Sequence, residues 1–235
     1  MRVPLLARAD RWAVVAKPTG LPVHRSKMVN ERQTVMRAVK RHFEGHVAPV
    51  HRLDRATSGC LLLSLDPAAT PVLQRALAAG QKRYLALCRG RAEVGPPVHV
   101  DRPMKDERGV LKEASTELRA VAASAQPRCS LWEARPHTGR YHQVRRHVRD
   151  LNHPVIGDST HGDTRVNRWW RDNQGIGRLA LHCLSLSLRT EDGEDIDVVC
   201  PVPWDLRRVW QKLPWWEEAL AAIPELALDT RSEAD

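Results

Sequence analysis

The sequence lacks the features that mark secreted, membrane and zinc-finger proteins. Its five cysteines, at positions 60, 88, 129, 183 and 200, form no Cys-x-x-Cys pair and are odd in number, which argues against a zinc knuckle or a complete disulfide framework. The first residues do not form the apolar core of a signal peptide, and no apolar run approaches the roughly 20 residues of a transmembrane helix. These absences predict a cytoplasmic protein that does not bind membranes.

Cofactor motifs are also missing from the sequence. No glycine-rich loop of the Walker or dinucleotide-binding type occurs. His42 and His46 are four residues apart, but the segment HFEGH lacks the residue order of zinc proteases and no third ligand is evident. We therefore expect neither a metal nor a cofactor.

The charge balance favours an anionic partner. The chain of 235 residues has 37 Lys and Arg against 28 Asp and Glu, a formal net charge of +9. Many proteins without a nucleic-acid partner are also mildly basic, so the charge alone decides nothing. The length predicts a single domain, which we place at residues 1–213, followed at 214–235 by a short helix and a disordered end.

The periodicity of apolar residues predicts strands and helices without a regular βαβ repeat. The predicted strands cover residues 12–16, 59–65, 83–88, 130–134, 179–188 and 196–199. The predicted helices cover residues 31–43, 67–79, 141–151 and 215–222. This order predicts an α+β fold with a central mixed, largely antiparallel β-sheet flanked by helices and loops.

Charge, hydroxyl groups and glycine are concentrated in the segment HRLDRATSG at 51–59, between a predicted helix and a buried strand. Asp54 could simply accept hydrogen bonds from the Thr57 and Ser58 amides in a structural turn. For an isolated Asp followed by Thr-Ser-Gly, that interpretation is the favoured one. The surrounding motifs reverse this preference.

HRLDRATSG resembles the signature loop of the RluA-type pseudouridine synthases. KPTGLPVH at 17–24 is similar to the family's first motif, QKRYLALCRG at 81–90 to its second, and HTGRYHQVRRH at 137–147 with HPVIGD at 153–158 to its third. These motifs stand in the family's order. The resemblance implies the pseudouridine synthase fold, with an active-site cleft across the sheet, and isomerisation of uridine in structured RNA.

The resemblance also implies roles for three residues. Asp54 matches the essential carboxylate, which acts as a nucleophile or as a base and must be ionised in either role. Arg145 matches the arginine that pairs with this carboxylate, and Tyr84 matches the tyrosine that stacks on the flipped uracil and receives the C5 proton. Alone, Arg145 would be interpreted as a solvated charge on a basic helix, and Tyr84 as part of the core.

RNA contacts are predicted from the same motifs and from local charge. Arg52 resembles the arginine that fills the space left by the flipped base. The segment 135–149 contains five arginines and three histidines and no acidic residue. The predicted contacts are Arg52, Arg55, Arg83, Arg140, His142 and Arg146. Trp169 and Trp170 lie among three further arginines, where base stacking and ordinary packing are equally consistent with the sequence.

The segments after the first and third motifs resemble most closely the TruC-like branch, which modifies tRNA at position 65. The region between the second and third motifs matches that branch poorly, which keeps ribosomal RNA open as the substrate. A non-catalytic RNA-binding protein would not need Asp54, Tyr84 and Arg145 together. A carboxylate-based glycosidase would need a second carboxylic acid that no motif supplies. We expect a monomer that binds tRNA in preference to ribosomal RNA.

Overall fold

The computed structural model describes residues 3–24, 33–106 and 108–229. The strands are β1 (Leu5–Arg8), β2 (Trp12–Lys17), β3 (Ala48–Pro49), β4 (Ser58–Ser64), β5 (Gln81–Arg89), β6 (Val98–Asp101), β7 (Met104–Lys105), β8 (Leu111–Lys112), β9 (Ser115–Ala125), β10 (Arg128–Pro136), β11 (Leu181–Arg189) and β12 (Asp195–Val199). The helices are α1 (Val35–Val39), α2 (Ala69–Ala79), α3 (Gln143–Asp150), α4 (Thr164–Gln174), α5 (Trp204–Trp210), α6 (Trp216–Ala222) and a short 3-10 helix (Pro224–Ala227).

The first of two compact units comprises Met1–Lys82 and Cys183–Cys200. Its strands follow the order β1-β2-β4-β11-β12, with β3 beside β4. The pairings of β2 with β1 and β4, of β3 with β4, and of β11 with β12 are antiparallel. Leu61, Leu62 and Leu63 on β4 are fully buried, as expected for a strand covered on both faces.

The position of Gly59, the last residue of the signature segment, requires a glycine. Its φ is +122°, and a Cβ atom there would lie 2.2 Å from the carbonyl oxygen of Cys183 on β11. Only glycine allows the backbones of β4 and β11 to approach so closely at this position.

The second unit comprises Arg83–His182 and Pro201–Asp235. Its main sheet has the order β5-β10-β9-β6 with antiparallel pairing, and β7 and β8 form a separate hairpin. Helices α3 and α6 contact β9. Leu85, Leu118 and Leu131 are fully buried and form the centre of this unit.

The predicted α+β class and largely antiparallel pairing are confirmed, but the helix predicted at 31–43 is wrong in length. Helix α1 spans only Val35–Val39; it begins after Thr34, whose hydroxyl accepts a hydrogen bond from the Arg37 amide at 3.2 Å. Phe43 is buried but lies in the loop after α1. Its helical spacing from the preceding apolar residues therefore reflects burial and does not indicate a helix. Residues 31 and 32 lie outside the described residues, and so does the predicted disordered end at 229–235 except for its first residue.

Two long elements were not predicted from the sequence. Strand β9 contains four alanines, which favour strands weakly, and α4 lacks the apolar periodicity of an amphipathic helix.

Among the helices of the described segments, none is long and apolar enough to cross a bilayer. The same segments contain no group of three or more His, Cys, Asp or Glu side chains arranged to hold a metal ion.

Candidate active site

Asp54 lies in a tight loop between β3 and β4 of the first unit. Its backbone carbonyl accepts a hydrogen bond from the Thr57 amide at 3.1 Å, which closes the turn. Leu53 is buried, the side chain of Asp54 is half-buried, and Arg52 and Arg55 are exposed. The loop thus anchors its apolar residue in the core and presents a carboxylate flanked in sequence by arginines.

The ammonium group of Lys17 holds this loop against the end of β2. Lys17 is only 1% exposed. Its Nζ atom donates hydrogen bonds to the carbonyl oxygens of Pro18 at 2.9 Å, Arg55 at 3.2 Å and Thr57 at 2.6 Å. A buried ammonium group is tolerated only where its N–H groups are satisfied, and two of these acceptors belong to the loop of Asp54. Lys17 therefore fixes the backbone that positions this carboxylate.

Two further hydrogen bonds join the turn after β2 to the same loop. The hydroxyl of Thr19 donates to the carbonyl of Ala56 at 2.7 Å. The guanidinium of Arg55 donates through Nε to the carbonyl of Gly20 at 3.0 Å. The first motif and the signature segment consequently form one hydrogen-bonded structure.

His51, at the start of the signature segment, has a structural role. Its Nε2 atom accepts a hydrogen bond from the backbone amide of Leu62 at 3.1 Å. Burial, together with the positive charge of Lys82, lowers the pKa of His51 to about 4. The ring is therefore neutral near pH 7 and serves as an acceptor for β4.

Strand β5 of the second unit directs Tyr84 and Arg83 to opposite faces of the sheet, since successive side chains alternate. Tyr84 is 8% exposed and lies opposite Ala134 on β10. The guanidinium of Arg83 donates to the carboxylates of Glu133 at 2.7 Å and Glu225 at 2.5 Å. The structure gives Arg83 two carboxylate partners, and its contact with RNA stays a prediction.

Glu133 is the centre of an ionic network on this face. Although it is 2% exposed, it also accepts hydrogen bonds from Arg119 at 2.9 Å and Arg135 at 3.2 Å. Burial raises the pKa of Glu133, but the hydrogen bond from Arg83 and the charges of Arg135 and Arg119 outweigh burial and hold the pKa below its usual value. One buried carboxylate is thus shared by three arginines, whose combined positive charge exceeds its own.

Arg145 on α3 forms a buried two-pronged ion pair with Asp158. Its Nε and Nη2 atoms donate to the two carboxylate oxygens of Asp158, each at 2.7 Å. Arg145 is 5% and Asp158 1% exposed, so the interpretation of Arg145 as a solvated charge is wrong. Asp158 also accepts hydrogen bonds from the amides of Thr160 and His161, both at 2.9 Å. This arrangement fixes the plane of the guanidinium group.

Gln143 ties the start of α3 to β9. Its side-chain oxygen accepts hydrogen bonds from the Thr138 hydroxyl at 2.6 Å and the Arg140 amide at 2.9 Å. Its amide nitrogen donates to the carbonyl of Ser115 at 2.8 Å and the hydroxyl of Thr116 at 2.9 Å. All four hydrogen-bonding positions of the buried amide are used, which makes the orientation of α3 specific.

His142 immediately precedes α3 in the left-handed conformation, with φ of +56°. Its ring stacks on Tyr141 at 3.7 Å between centroids, and its Nδ1 atom lies 2.9 Å from Nε2 of His161. Burial is the main cause that lowers the pKa of His161. The negative charge of Asp158 raises this pKa, but the positive charges of nearby arginines, Arg145 foremost, lower it. The two histidine rings therefore share one hydrogen bond beside the Arg145 ion pair.

The predicted site residues are divided between the two units. Those of the first unit are Arg52, Asp54 and Arg55. Those of the second unit are Arg83, Tyr84, Arg140, His142, Arg145 and Arg146. Helix α3 and the loop before it bring the last four together, with Arg140 exposed and Arg146 half-buried.

Two residues in recognised motifs received no role from the sequence. Lys17 ends the otherwise apolar strand WAVVAK, and a lysine in such a position signals a buried charge with nearby acceptors. Asp158 follows Gly157, whose φ is +77° and whose Cβ, if present, would lie 1.9 Å from the carbonyl oxygen of Arg178. That glycine marks the turn that brings Asp158 to Arg145.

The family model for RNA pseudouridylate synthase matches residues 11–150, which include the loop of Asp54, Tyr84 and helix α3. The chain belongs to this family. The synthase is 37% identical over 204 residues to the tRNA pseudouridine synthase C of Pasteurella multocida strain Pm70, covering 77% of this chain and 84% of that one. It is 39% identical over 206 residues to the tRNA pseudouridine synthase C of Yersinia pestis, covering 78% of this chain and 80% of that one.

A solved structure agrees with these sequence relationships. The synthase superposes on the human RNA pseudouridylate synthase domain containing 1 with a TM-score of 0.69 and 26% identity, over 86% of this chain and 84% of that one. The synthase therefore has the pseudouridine synthase fold, and the resemblance to the RluA type is confirmed. It is an RNA isomerase.

Proposed function

We propose that this pseudouridine synthase acts on tRNA and that Asp54 is its catalytic carboxylate. The main support is the loop of Asp54, whose backbone is held by the buried ammonium of Lys17 while its side chain remains half-buried. A carboxylate held in one position is what the reaction needs, because orienting the reacting groups removes much of the barrier. Relatives named tRNA pseudouridine synthase C support tRNA as the substrate.

The reaction defines what Asp54 must do. The N1–C1′ bond of uridine breaks, the uracil turns, a C5–C1′ bond forms, C5 loses a proton and N1 gains one. An ionised Asp54 either attacks the sugar or base as a nucleophile or removes a proton from the sugar. The balance is redox-neutral, and we propose that the protein catalyses it without metal or cofactor.

Arg145 is proposed to stabilise the ionised form of Asp54. Asp158 accepts hydrogen bonds from the Nε and Nη2 atoms of Arg145 and so fixes the plane of its guanidinium group. A guanidinium whose plane is already fixed loses little entropy when it binds a second carboxylate. We assign to Tyr84 the stacking on the detached uracil and the removal of its C5 proton.

RNA binding is proposed to use exposed cations around these residues. A uridine in a stem must leave the stack before its sugar can react, and we assign to Arg52 the filling of the resulting gap. Arg52, Arg55 and Arg140 are exposed, and His142 and Arg146 are half-buried, so these five can reach phosphates.

The test uses purified wild-type protein and Asp54→Asn on total tRNA and ribosomal RNA from cells that lack the gene. We expect wild type to form pseudouridine in tRNA and Asp54→Asn to form none, with RNA affinity within about tenfold of wild type. Asp195→Asn, at an exposed carboxylate on β12, is the matched control and should retain full activity. Turnover by Asp54→Asn would remove Asp54 from the central role, and modification confined to ribosomal RNA would overturn the proposed substrate.

A further inference from the structure

A long groove lies in the second unit, at the end of β5. It has a volume of 1190 Å³ and is bordered by the loop after β5, the turn between β9 and β10, the residues after α3, and one face of α4. Small-molecule pockets usually enclose about 300–1,000 Å³. The size of the groove therefore favours part of a larger ligand.

The groove is distant from the tyrosine proposed to stack on uracil. Arg89 lines the groove and follows Tyr84 by five residues on the same strand. At about 3.3 Å per residue, the two positions are about 17 Å apart. That distance equals the rise of about five stacked nucleotides at about 3.4 Å each. A ligand in the groove would thus be separate from the target uridine.

The charge of the groove is positive. Its lining contains four arginines and a histidine and no Asp or Glu. Two of these arginines form ion pairs with carboxylates outside the lining. The N–O distance is 3.5 Å between Arg89 and Asp163 and 2.8 Å between Arg149 and Asp150. The other two are exposed, and no carboxylate in the described part of the chain lies within ion-pair distance of them. These two remain available for an anion.

An exposed tryptophan forms part of the groove wall. Trp169 on α4 is 44% exposed, whereas its neighbour Trp170 is 2% exposed. The two rings meet edge to face, with centroids 5.6 Å apart at 83°, so the buried ring supports the exposed one. The start of α4 is fixed by Asp163, which accepts hydrogen bonds from the Arg165 and Val166 amides. Trp169 is therefore held on a rigid element with part of its surface open.

We propose that this groove binds an unpaired nucleotide of the RNA substrate, outside the target uridine. The base stacks on Trp169, and the adjacent phosphates bind Arg91 and Arg128. Aromatic rings set among cations are how proteins bind single-stranded nucleic acid, because every base has a face that can stack and every nucleotide a charge. The proposal rests on the proposed function only in taking Tyr84 as the position of the target uridine.

The first test measures affinity for total tRNA and, separately, ribosomal RNA after Trp169→Ala. Loss of one stacked base should raise Kd at least about fivefold on the RNA that wild type binds. Trp169→Phe should restore most of the affinity. Trp204→Ala, at a tryptophan of 43% exposure on α5, should leave Kd unchanged. With saturating enzyme, the single-turnover rate of Trp169→Ala should stay within about twofold of wild type.

The second test replaces Arg91 and Arg128 together by glutamine. The slope of log K against log salt should become shallower by about 1.4, because two phosphate contacts to a single strand are lost. Arg189→Gln, an arginine with 70% side-chain exposure on β11, should leave the slope unchanged. An unchanged Kd for Trp169→Ala together with an unchanged salt slope for the double variant would overturn the proposal.

These outcomes are distinguishable from failure of the proposed function. If wild type modifies ribosomal RNA instead of tRNA, the same comparison on ribosomal RNA still decides whether the groove binds it. If Asp54→Asn retains turnover while Trp169→Ala loses affinity, the catalytic assignment fails and the groove stands.

Discussion

The guanidinium of Arg145 and the carboxylate of Asp158 face each other through two N–O contacts of 2.7 Å, and both side chains are almost completely buried. Two backbone amides complete the coordination of the same carboxylate. Asp158 is therefore positioned to orient the guanidinium group of Arg145. This arrangement makes Asp158 a positioning residue that can be tested separately from the chemistry.

We expect Asp158→Asn to lower the free energy of unfolding by about 3–5 kcal/mol, because it leaves the charge of Arg145 buried with a weaker partner. Urea denaturation measures the change. Asp195→Asn is the matched control, since its pair with Arg189 is largely exposed and should contribute little. A loss for Asp158→Asn as small as that of the control would show that the buried pair does not stabilise the fold.

The same pair predicts a pH dependence of stability. Burial raises the pKa of Asp158, but the hydrogen bonds from Arg145 and the His161 and Thr160 amides outweigh burial and hold the pKa below its usual value. A lowered pKa in the folded state contributes stability that is complete above the unfolded pKa of about 3.9 and is lost as pH falls through the folded pKa.

The difference in unfolding free energy between wild type and Asp158→Asn should therefore be constant from about pH 7 to 5 and shrink below about pH 4. Denaturation curves at several pH values check this. A difference that stays constant into the most acidic samples would show that the ionised form of Asp158 is not the stabilising one.

The sequence identified the family, whereas the contacts made by the residues in its motifs had to come from the structure. Asp54, Tyr84 and Arg145 stand in motifs that resemble a known family, and that family is confirmed. The partner of Arg145 within the second unit could not be predicted, because Asp158 is 13 residues away and reaches it only through a turn that Gly157 permits. Contacts of that kind depend on the backbone path and not on local residue pattern.

The secondary structure was likewise predicted only in part from the sequence. The strand predicted at 179–188 is observed as Leu181–Arg189, because near-perfect alternation of apolar and polar residues indicates a strand. The prediction that it is half-buried is wrong, since residues 181–186 are all buried and exposure alternates only at the end of the strand. Helix α4 was missed because only Trp170 is buried along its length, so its sequence contains no apolar stripe. A helix that is held by its terminal caps and one buried side chain has no regular spacing of apolar residues by which it could be predicted.

Lys17 allows a test of how much the position of the Asp54 loop matters. We expect Lys17→Met to reduce the single-turnover rate by at least about tenfold and to lower stability, because three carbonyl oxygens lose their donor. RNA affinity should change little, since the ammonium is buried. Lys40→Met, at an exposed lysine, should leave rate and stability unchanged. A normal rate for Lys17→Met would show that the loop is fixed without the ammonium.

Neighbouring arginines on α3 provide the sharpest separation of catalysis from binding. Arg145 is 5% exposed and paired with Asp158, whereas Arg146 is half-buried and can reach solvent. Arg145→Lys keeps the positive charge but loses the two-pronged geometry, so we expect the single-turnover rate to fall strongly while RNA affinity stays nearly unchanged. Arg146→Gln should do the reverse, weakening RNA binding and reducing the salt dependence by about one phosphate contact, with a normal rate at saturating enzyme. Rates and affinities measured on the same preparations check both variants. If the loss of rate in Arg145→Lys were fully recovered by raising the enzyme concentration, Arg145 would be a phosphate contact and its assignment to Asp54 would be wrong.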